Sequence, residues 1–315
     1  MSEDRLVWVP FGAERLGETT FDGLRVETQK PGIDWRVDEG GAPQSAADVR
    51  FWVMPYGFSN QVHDQQMIEA MPNLEVVQTL SAGVEHVRPH VPAHVTLCNA
   101  RGVHDASTAE LAVGLAIASL RGIPDYVREA EHRVWRQRMQ PALADRRVMI
   151  LGYGSIGEAI ERRLVPFETE VVRVARTARE GVHGFEEIPA LLPEVDVVIL
   201  VVPATEQTVG MVDAAFLASM KDGALLVNVA RGSIVDSDAL LAELRRERIT
   251  AALDVVDTEP MPEDHPLWGA PGLLLSPHVG GTTDAMWPRA YRMVAAQLTR
   301  YAAGEELANV MNGPY

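Results

Sequence analysis

Along the first hundred residues, short apolar runs alternate with polar stretches carrying proline and glycine: LVWVPFG, VRFWVMP, LEVVQTL and VTLCNA. Runs of this length between turn formers predict strands, and their spacing admits helices, notably over 63–71. A small α/β domain follows. Segment 105–120, DASTAELAVGLAIASL, is apolar around much of its circumference, which predicts a buried helix, set between domains or subunits. From residue 147 the pattern sharpens into RVMILGYGSIG, VVRVAR, VDVVILVVP, GALLVNVA, ITAALDVV and GLLLSPHV. Helical stretches such as EAIERRLVPF and SDALLAELRRE lie between them. Continuous apolar strands separated by helices predict a doubly wound parallel sheet covered on both faces. A last helix, from about residue 287, returns to the first domain.

Composition narrows the partners. Of 315 residues, 47% are hydrophobic and 23% charged, with 28 basic against 44 acidic and a net charge of −16. Nucleic acid and anionic membrane both demand a basic footprint, so neither is expected. An anionic ligand has to be drawn in by a few arginines and helix N-termini against the overall field. The single cysteine, Cys98, excludes an internal disulfide and a cysteine-built metal site. Its place in VTLCN predicts a buried, inert thiol. MSEDRLVWVP lacks the basic start and apolar core of a signal peptide, and LAVGLAIASL and VVILVV are too short to cross a bilayer. A soluble cytoplasmic protein is expected.

In GYGSIG, Gly152, Gly154 and Gly157 occupy the positions of a dinucleotide fingerprint. The first permits the tight turn, the second lets backbone approach a pyrophosphate, and the third lets helix and strand pack closely. Ser155, Ile156 and Gly157 open the helix, whose free N–H groups and positive end suit a phosphate. The second strand ends on Ala175, Arg176 and Thr177, where a ribose-gripping acid would stand in an NAD site. Arg176 can pair with a 2′-phosphate in fork geometry and Thr177 can donate to it, so NADP is favoured over NAD.

Three downstream segments, NVARGSIVD, LDVVDTEP and SPHVGGTT, end or closely follow apolar strands. Ligands of doubly wound sheets bind at the carboxyl ends of strands, so Arg231, Glu259 and His278 can converge there. Hydride transfer to a 2-keto acid needs a cation for the carboxylate and carbonyl, an acid for the developing alkoxide, and a group that keeps that acid charged. Arg231 suits the first role, His278 the second, and Glu259 the third.

From about 78 to 283 the chain resembles the D-isomer-specific 2-hydroxyacid dehydrogenases. The resemblance rests on SAGVEHV (81–87), STAELAVGLAIASLR (107–121), LGYGSIG (151–157), VDVVILVVPATEQTVGMV (195–212) and LLVNVARGSIVDSDALLAEL (225–244). ALDVVDTEP (252–260), HPLW (265–268) and SPHVGG (276–281) complete it. It implies a Rossmann-type NADP-binding domain over 100–287 and a flavodoxin-like α/β substrate domain from 1–99 plus 288–315. It places the catalytic Arg, Glu and His on Arg231, Glu259 and His278, and backbone donors for the substrate carboxylate on Ala82, Gly83 and Val84. Asp254 would hold the nicotinamide carboxamide. Thr108, Val202, Pro203, Val229, Ala230, Arg231, His278 and Gly280 would line the cofactor. The family often carries a histidine near Val201, absent here. Glu259 disfavours the formate-dehydrogenase-like branch, and Arg176-Thr177 resembles the NADP-dependent glyoxylate and hydroxypyruvate reductases. A homodimer through the nucleotide domain is implied.

His86, His90 and His94 recur every fourth residue, but Pro89 and Pro92 break the helix that would align them, so no metal is expected. His265, in a proline-flanked loop, is the weaker rival to His278. Trp135 and Trp287 read as packing residues, with the edge of the substrate pocket or a dimer contact as the alternative, and Tyr56 as a pocket wall or a surface-loop residue. The sequence thus predicts reduction of a small anionic 2-keto acid, such as glyoxylate or hydroxypyruvate, by NADPH. The alternatives are another D-2-hydroxyacid dehydrogenase using NAD, and a dinucleotide-sensing protein resembling the family's co-repressors, whose characteristic tail is not visible.

Overall fold

In the computed structural model, which describes residues 4–17, 20–28, 44–57 and 61–312, each apolar run of the first hundred residues becomes a strand of one parallel sheet. The strands are β1 (Arg5–Val9), β2 (Leu24–Thr28), β3 (Val49–Val53), β4 (Val76–Gln78) and β5 (Thr96–Cys98), in the order β2-β1-β3-β4-β5, the flavodoxin-like order. β2 escaped the sequence reading for a physical reason. It has one neighbour, and LRVET alternates half-buried with exposed positions instead of forming an apolar run. Helix α1 spans Gln61–Glu69, two residues earlier at each end than the predicted 63–71. Cys98 is buried, and burial pushes its thiol up to about 11 against a weaker downward pull from Gln297.

The second unit begins with α2 (Asp105–Leu120) and α3 (Ile123–Glu131). It continues through β6 (Arg147–Leu151), α4 (Ser155–Leu164), β7 (Glu170–Val174), α5 (Ile188–Leu191), β8 (Val197–Leu200) and α6 (Ala214–Ser219). β9 (Leu225–Asn228), α7 (Ser237–Arg245), β10 (Thr250–Leu253) and β11 (Leu273–Leu275) complete it. Its six strands are parallel, in the order β11-β10-β9-β8-β6-β7. Alternate residues of β6 feed cores on opposite faces, Met149 and Leu151 on one, Val148 and Ile150 on the other. The chain leaves β6 toward β7 on one side and returns to β8 on the other, so the strand order reverses at β6, the switch point where such sheets bind ligands. The buried face of α2 packs inside this unit: Ala109, Ala112 and Ala116 are fully buried against the sheet and α4. Small side chains allow that close approach.

The chain crosses between units at 104/105 and 283/284, not at 99/100 and 287/288. Residues 99–104 are tied into the first unit by Ala100 N–H to Ser81 O (2.9 Å) and by His104 Nε2 to Leu80 O (2.7 Å). Asp105 instead accepts from Ser155 Oγ in the second (3.3 Å). Helix α8 (Met286–Ala303) closes the first unit, burying Met286, Ala290, Val294 and Leu298 with Val7, Val9, Phe51 and Val53. Two buried amides, Gln297 Nε2 and Gln78 Oε1, join it to the end of β4 (2.9 Å). No single helix among the described residues is long and apolar enough to cross a membrane.

Candidate active site

The three glycines of GYGSIG are bare for different reasons. Gly152 has φ +111°, and a Cβ there would lie 2.6 Å from the Val201 carbonyl carbon and 2.7 Å from Val202 N. At Gly157 a Cβ would meet Gly152 O at 3.0 Å. The fold itself therefore requires glycine at 152, and at 157 a side chain would fit only if the turn gave way by a few tenths of an ångström. A Cβ on Gly154 would meet nothing within 4 Å. Glycine there leaves room for a group approaching from outside, at the N-terminus of α4, which has no side-chain cap. A pyrophosphate fits that cradle in size and charge.

Past β7, the exposed residues Arg176 and Thr177 lie on a short loop that leads into a tight turn at 179–182. Ala175 N–H donates to His183 O (2.9 Å), and Arg179 and Val182 exchange backbone bonds of 2.9 and 2.8 Å. Sequence reasoning missed Arg179, whose Nη2 donates to Tyr153 O within the glycine turn (2.7 Å). Arg173 is tied to Glu161 (Nε to Oε1, 2.9 Å), and the Tyr153 hydroxyl donates to the same carboxylate. The loop is thus fastened to the glycine turn through Arg179, and residues 175–177 carry no acid.

The Arg231 turn follows β9. Buried Asn228 clamps it, donating from Nδ2 to Arg231 O (2.9 Å) and accepting from Ala230 N (3.0 Å). A Cβ on Gly232 would fall 1.9 Å from the Val256 carbonyl carbon, so the turn lies directly on the segment leading to Glu259. Glu259 Oε1 accepts from Val256 N (3.2 Å), and its Oε2 meets His278 Nδ1 at 2.6 Å. His278 adopts φ +52°, uncommon for a residue with a side chain. Asp254 holds it there: its backbone carbonyl accepts from His278 N (2.7 Å), and its carboxylate accepts from Val279 N, Gly280 N and Ser276 Oγ (2.9, 2.8 and 2.6 Å). The buried Asp254 therefore braces the histidine loop, a role the sequence reading did not foresee.

The Glu259 hydrogen bond raises the His278 pKa above its ordinary value, outweighing burial and the Arg231 charge, which push down. Burial pushes Glu259 up, but the His278 bond and charge, Val256 N–H and Arg231 together leave it below the usual carboxylate value. Arg231 thus acts electrostatically on both partners. A cavity of about 430 Å³, lined by Val256, Met261, Trp268 and Leu275, lies against the pair.

Thr108 on α2 is buried and donates to Gly280 O (3.3 Å). Val202 and Pro203 follow β8, and buried Val229 and Ala230 follow β9, so these positions gather at the carboxyl ends of the strands. Ala82, Gly83 and Val84 form a turn of the first unit after β4. Tyr56 stacks on His104 (centroids 5.4 Å apart) and meets Trp287 edge-on (6.5 Å), so it is no isolated loop residue. Trp287 also stacks on Tyr291. Trp135, read as a packing residue, is instead 99% exposed, because residues 134–142 run without regular structure beyond α3. His265 accepts from Leu267 N at the start of a 3-10 turn. Arg88–His90 form a 3-10 turn, and no metal-holding cluster occurs among the described residues.

Residues 113–280 match the NAD-binding domain of D-isomer specific 2-hydroxyacid dehydrogenases. The chain is 34% identical over 263 residues to a glyoxylate reductase of Korarchaeum cryptofilum, covering 79% of each protein. It is 29% identical over 314 residues, 96% of its length, to a D-3-phosphoglycerate dehydrogenase of Archaeoglobus fulgidus, and spans 59% of that protein. A solved NADPH-dependent glyoxylate/hydroxypyruvate reductase of Sinorhizobium meliloti, in complex with NADP and malonate, is similar with a TM-score of 0.76 and 26% identity. That match covers 98% of this chain and 97% of the other. With the glycine cradle at the switch point and the Arg231, Glu259 and His278 set on the adjacent strand ends, the chain belongs to the D-isomer-specific 2-hydroxyacid dehydrogenase family, oxidoreductases that use a nicotinamide dinucleotide.

Proposed function

We propose that this dehydrogenase reduces small 2-keto acids, of glyoxylate or hydroxypyruvate size, to D-2-hydroxy acids with NADPH. The observation that carries the reading is the 2.6 Å His278–Glu259 bond under the influence of the Arg231 charge. Arg231 holds the substrate carboxylate and polarises the keto oxygen. Glu259 accepts from Nδ1 and keeps the imidazole protonated, leaving Nε2–H to donate to the oxygen as negative charge builds on it. When bound, the dinucleotide supplies the hydride. In the reverse direction the neutral imidazole takes the hydroxyl proton. The NADPH preference is supported by Ala175, Arg176 and Thr177, where no carboxylate opposes a 2′-phosphate, and by the NADP-bound relative. A homodimer is part of the reading, supported by the exposed apolar side chains of Val127, Trp135 and Met139.

Steady-state kinetics with NADPH and NADH against glyoxylate, hydroxypyruvate, pyruvate and bulkier keto acids test the proposal. NADPH and the small acids are expected to give the highest kcat/KM. His278→Ala should lower kcat about 100-fold or more with the NADPH Kd retained. Ala175→Asp combined with Arg176→Gln should move preference toward NADH. Near-normal turnover in His278→Ala sinks the reductase assignment. NADH preference in the wild type overturns the cofactor half alone.

A further inference from the structure

Two helices of the second unit begin beside each other at the glycine cradle. Helix α4 starts at Ser155, directly after the bare Gly154, and no side chain caps its first N–H groups. Helix α2 starts at Asp105, the one acid of its first turn. The two starts are joined, since Ser155 Oγ donates to Asp105 Oδ1 at 3.3 Å. One turn further on, Thr108 lies on the same face of α2 as Asp105 and donates to Gly280 O (3.3 Å). The opening turn of α2 therefore spans from the glycine turn to the histidine loop. It places a carboxylate where the other groups suit an anion. A helix N-terminus attracts negative charge, and Arg179 stands at the same turn, with Nη2 donating to Tyr153 O (2.7 Å). Asp105 works against both. It engages the Ser155 hydroxyl, the one side-chain donor in the first turn of α4, and its charge opposes a pyrophosphate. At 3.3 Å the bond is long for O–H···O and readily exchanged.

We propose that Asp105 is a release residue: its carboxylate occupies Ser155 and opposes the pyrophosphate, so that the dinucleotide is held less tightly than this cradle would otherwise hold it and exchanges quickly between turnovers. The proposal rests on the family's use of a nicotinamide dinucleotide, and neither on the NADPH preference nor on the 2-keto acid reading. A dehydrogenase must shed its spent cofactor in every cycle, and product release limits turnover in many enzymes. A single opposing charge speeds that step without altering the cradle's shape. The same carboxylate also favours α2 through the helix dipole, so its two roles predict opposite effects on binding and on stability when the charge is removed.

The test is Asp105→Asn, which keeps the size of the side chain and an acceptor for Ser155 Oγ but removes the charge. Fluorescence titration should show Kd falling about fivefold for NADPH and for NADH alike, the order expected for removing one unit charge near an anion in a wet site. The ratio of the two Kd values should stay unchanged, because the pyrophosphate is common to both. Stopped-flow displacement should show dissociation slowed by a similar factor. Salt at about 0.5 M should narrow the gap between wild type and variant by screening. Asp105→Glu, which restores the charge, should return Kd toward the wild-type value, and the Tm of Asp105→Asn should not rise. A Kd in Asp105→Asn that is unchanged or higher overturns the proposal, because a residue serving α2 alone gives that result. A gain confined to NADPH also overturns it. A wild type that titrates with neither dinucleotide marks a different failure, that of the cofactor reading itself, and removes the proposal with it.

Discussion

In the proposed mechanism the Glu259 hydrogen bond is the largest influence on the pH at which His278 can give up its proton. The ordinary pKa of a histidine is 6.5, and the Glu259 bond raises that of His278 above it. Its proton is therefore lost at a higher pH than that of an ordinary imidazole. Reduction consumes that proton, so kcat/KM for reduction should hold on the acid side and fall as pH rises through the folded-state value. Oxidation, which needs neutral imidazole, should rise over the same limb. In Glu259→Gln the limb should move toward lower pH, with about tenfold slower reduction on the alkaline limb for each unit moved. Initial-rate pH profiles of wild type and variant measure this, and an unmoved limb would show that another group titrates. At this scale Arg231, Glu259 and His278 stand out in the sequence because their residue types suit the proposed chemistry and each follows an apolar strand, and the structure pairs Glu259 with His278. The bracing by Asp254, the clamp by Asn228 and the Arg179 bond do not stand out there, because each depends on which backbone groups three-dimensional packing brings within reach.

Elements were legible in proportion to their burial. β6, β8 and β9 are covered on both faces, so they read as unbroken apolar runs. β2 alternates, and α6 (Ala214–Ser219) is too short to show a helical period. The glycine turn was recognisable as a motif, but only the structure separates its parts, and substitution should do the same. Gly152→Ala puts a side chain at φ +111° against the β8 exit. It should cost more than about 2 kcal/mol, a drop in Tm on the order of 5 °C. Gly154→Ala meets no protein atom within 4 Å, so its Tm should stay put while dinucleotide binding weakens about tenfold. Calorimetry and fluorescence titration distinguish the two. Equal loss of Tm in both would mean that Gly154, too, serves the fold.

At the scale of the molecule, the apolar pattern suggests a discontinuous first unit with crossings near 99/100 and 287/288, and the chain divides into compact units at 104/105 and 283/284. Nothing in the apolar pattern marks which neighbours bond residues 99–104. The proposed homodimer makes a direct demand: light scattering should return twice the chain mass of 34.5 kDa. Trp135→Asp with Met139→Asp, at two side chains that are each 99% exposed, should shift the species toward one chain mass with Tm little changed. A wild type that stays at one chain mass at micromolar concentration overturns the dimer.

The position of α8 has a consequence for synthesis. The core of the first unit draws on Met286, Ala290, Val294 and Leu298, which leave the ribosome after every strand of the second unit. Domains fold largely as units while the chain emerges. The second unit therefore has its whole sequence available first, while the early β-strands wait with one apolar face uncovered. A nascent chain halted between 284 and 303 would expose that face, making it the natural place for a chaperone to hold.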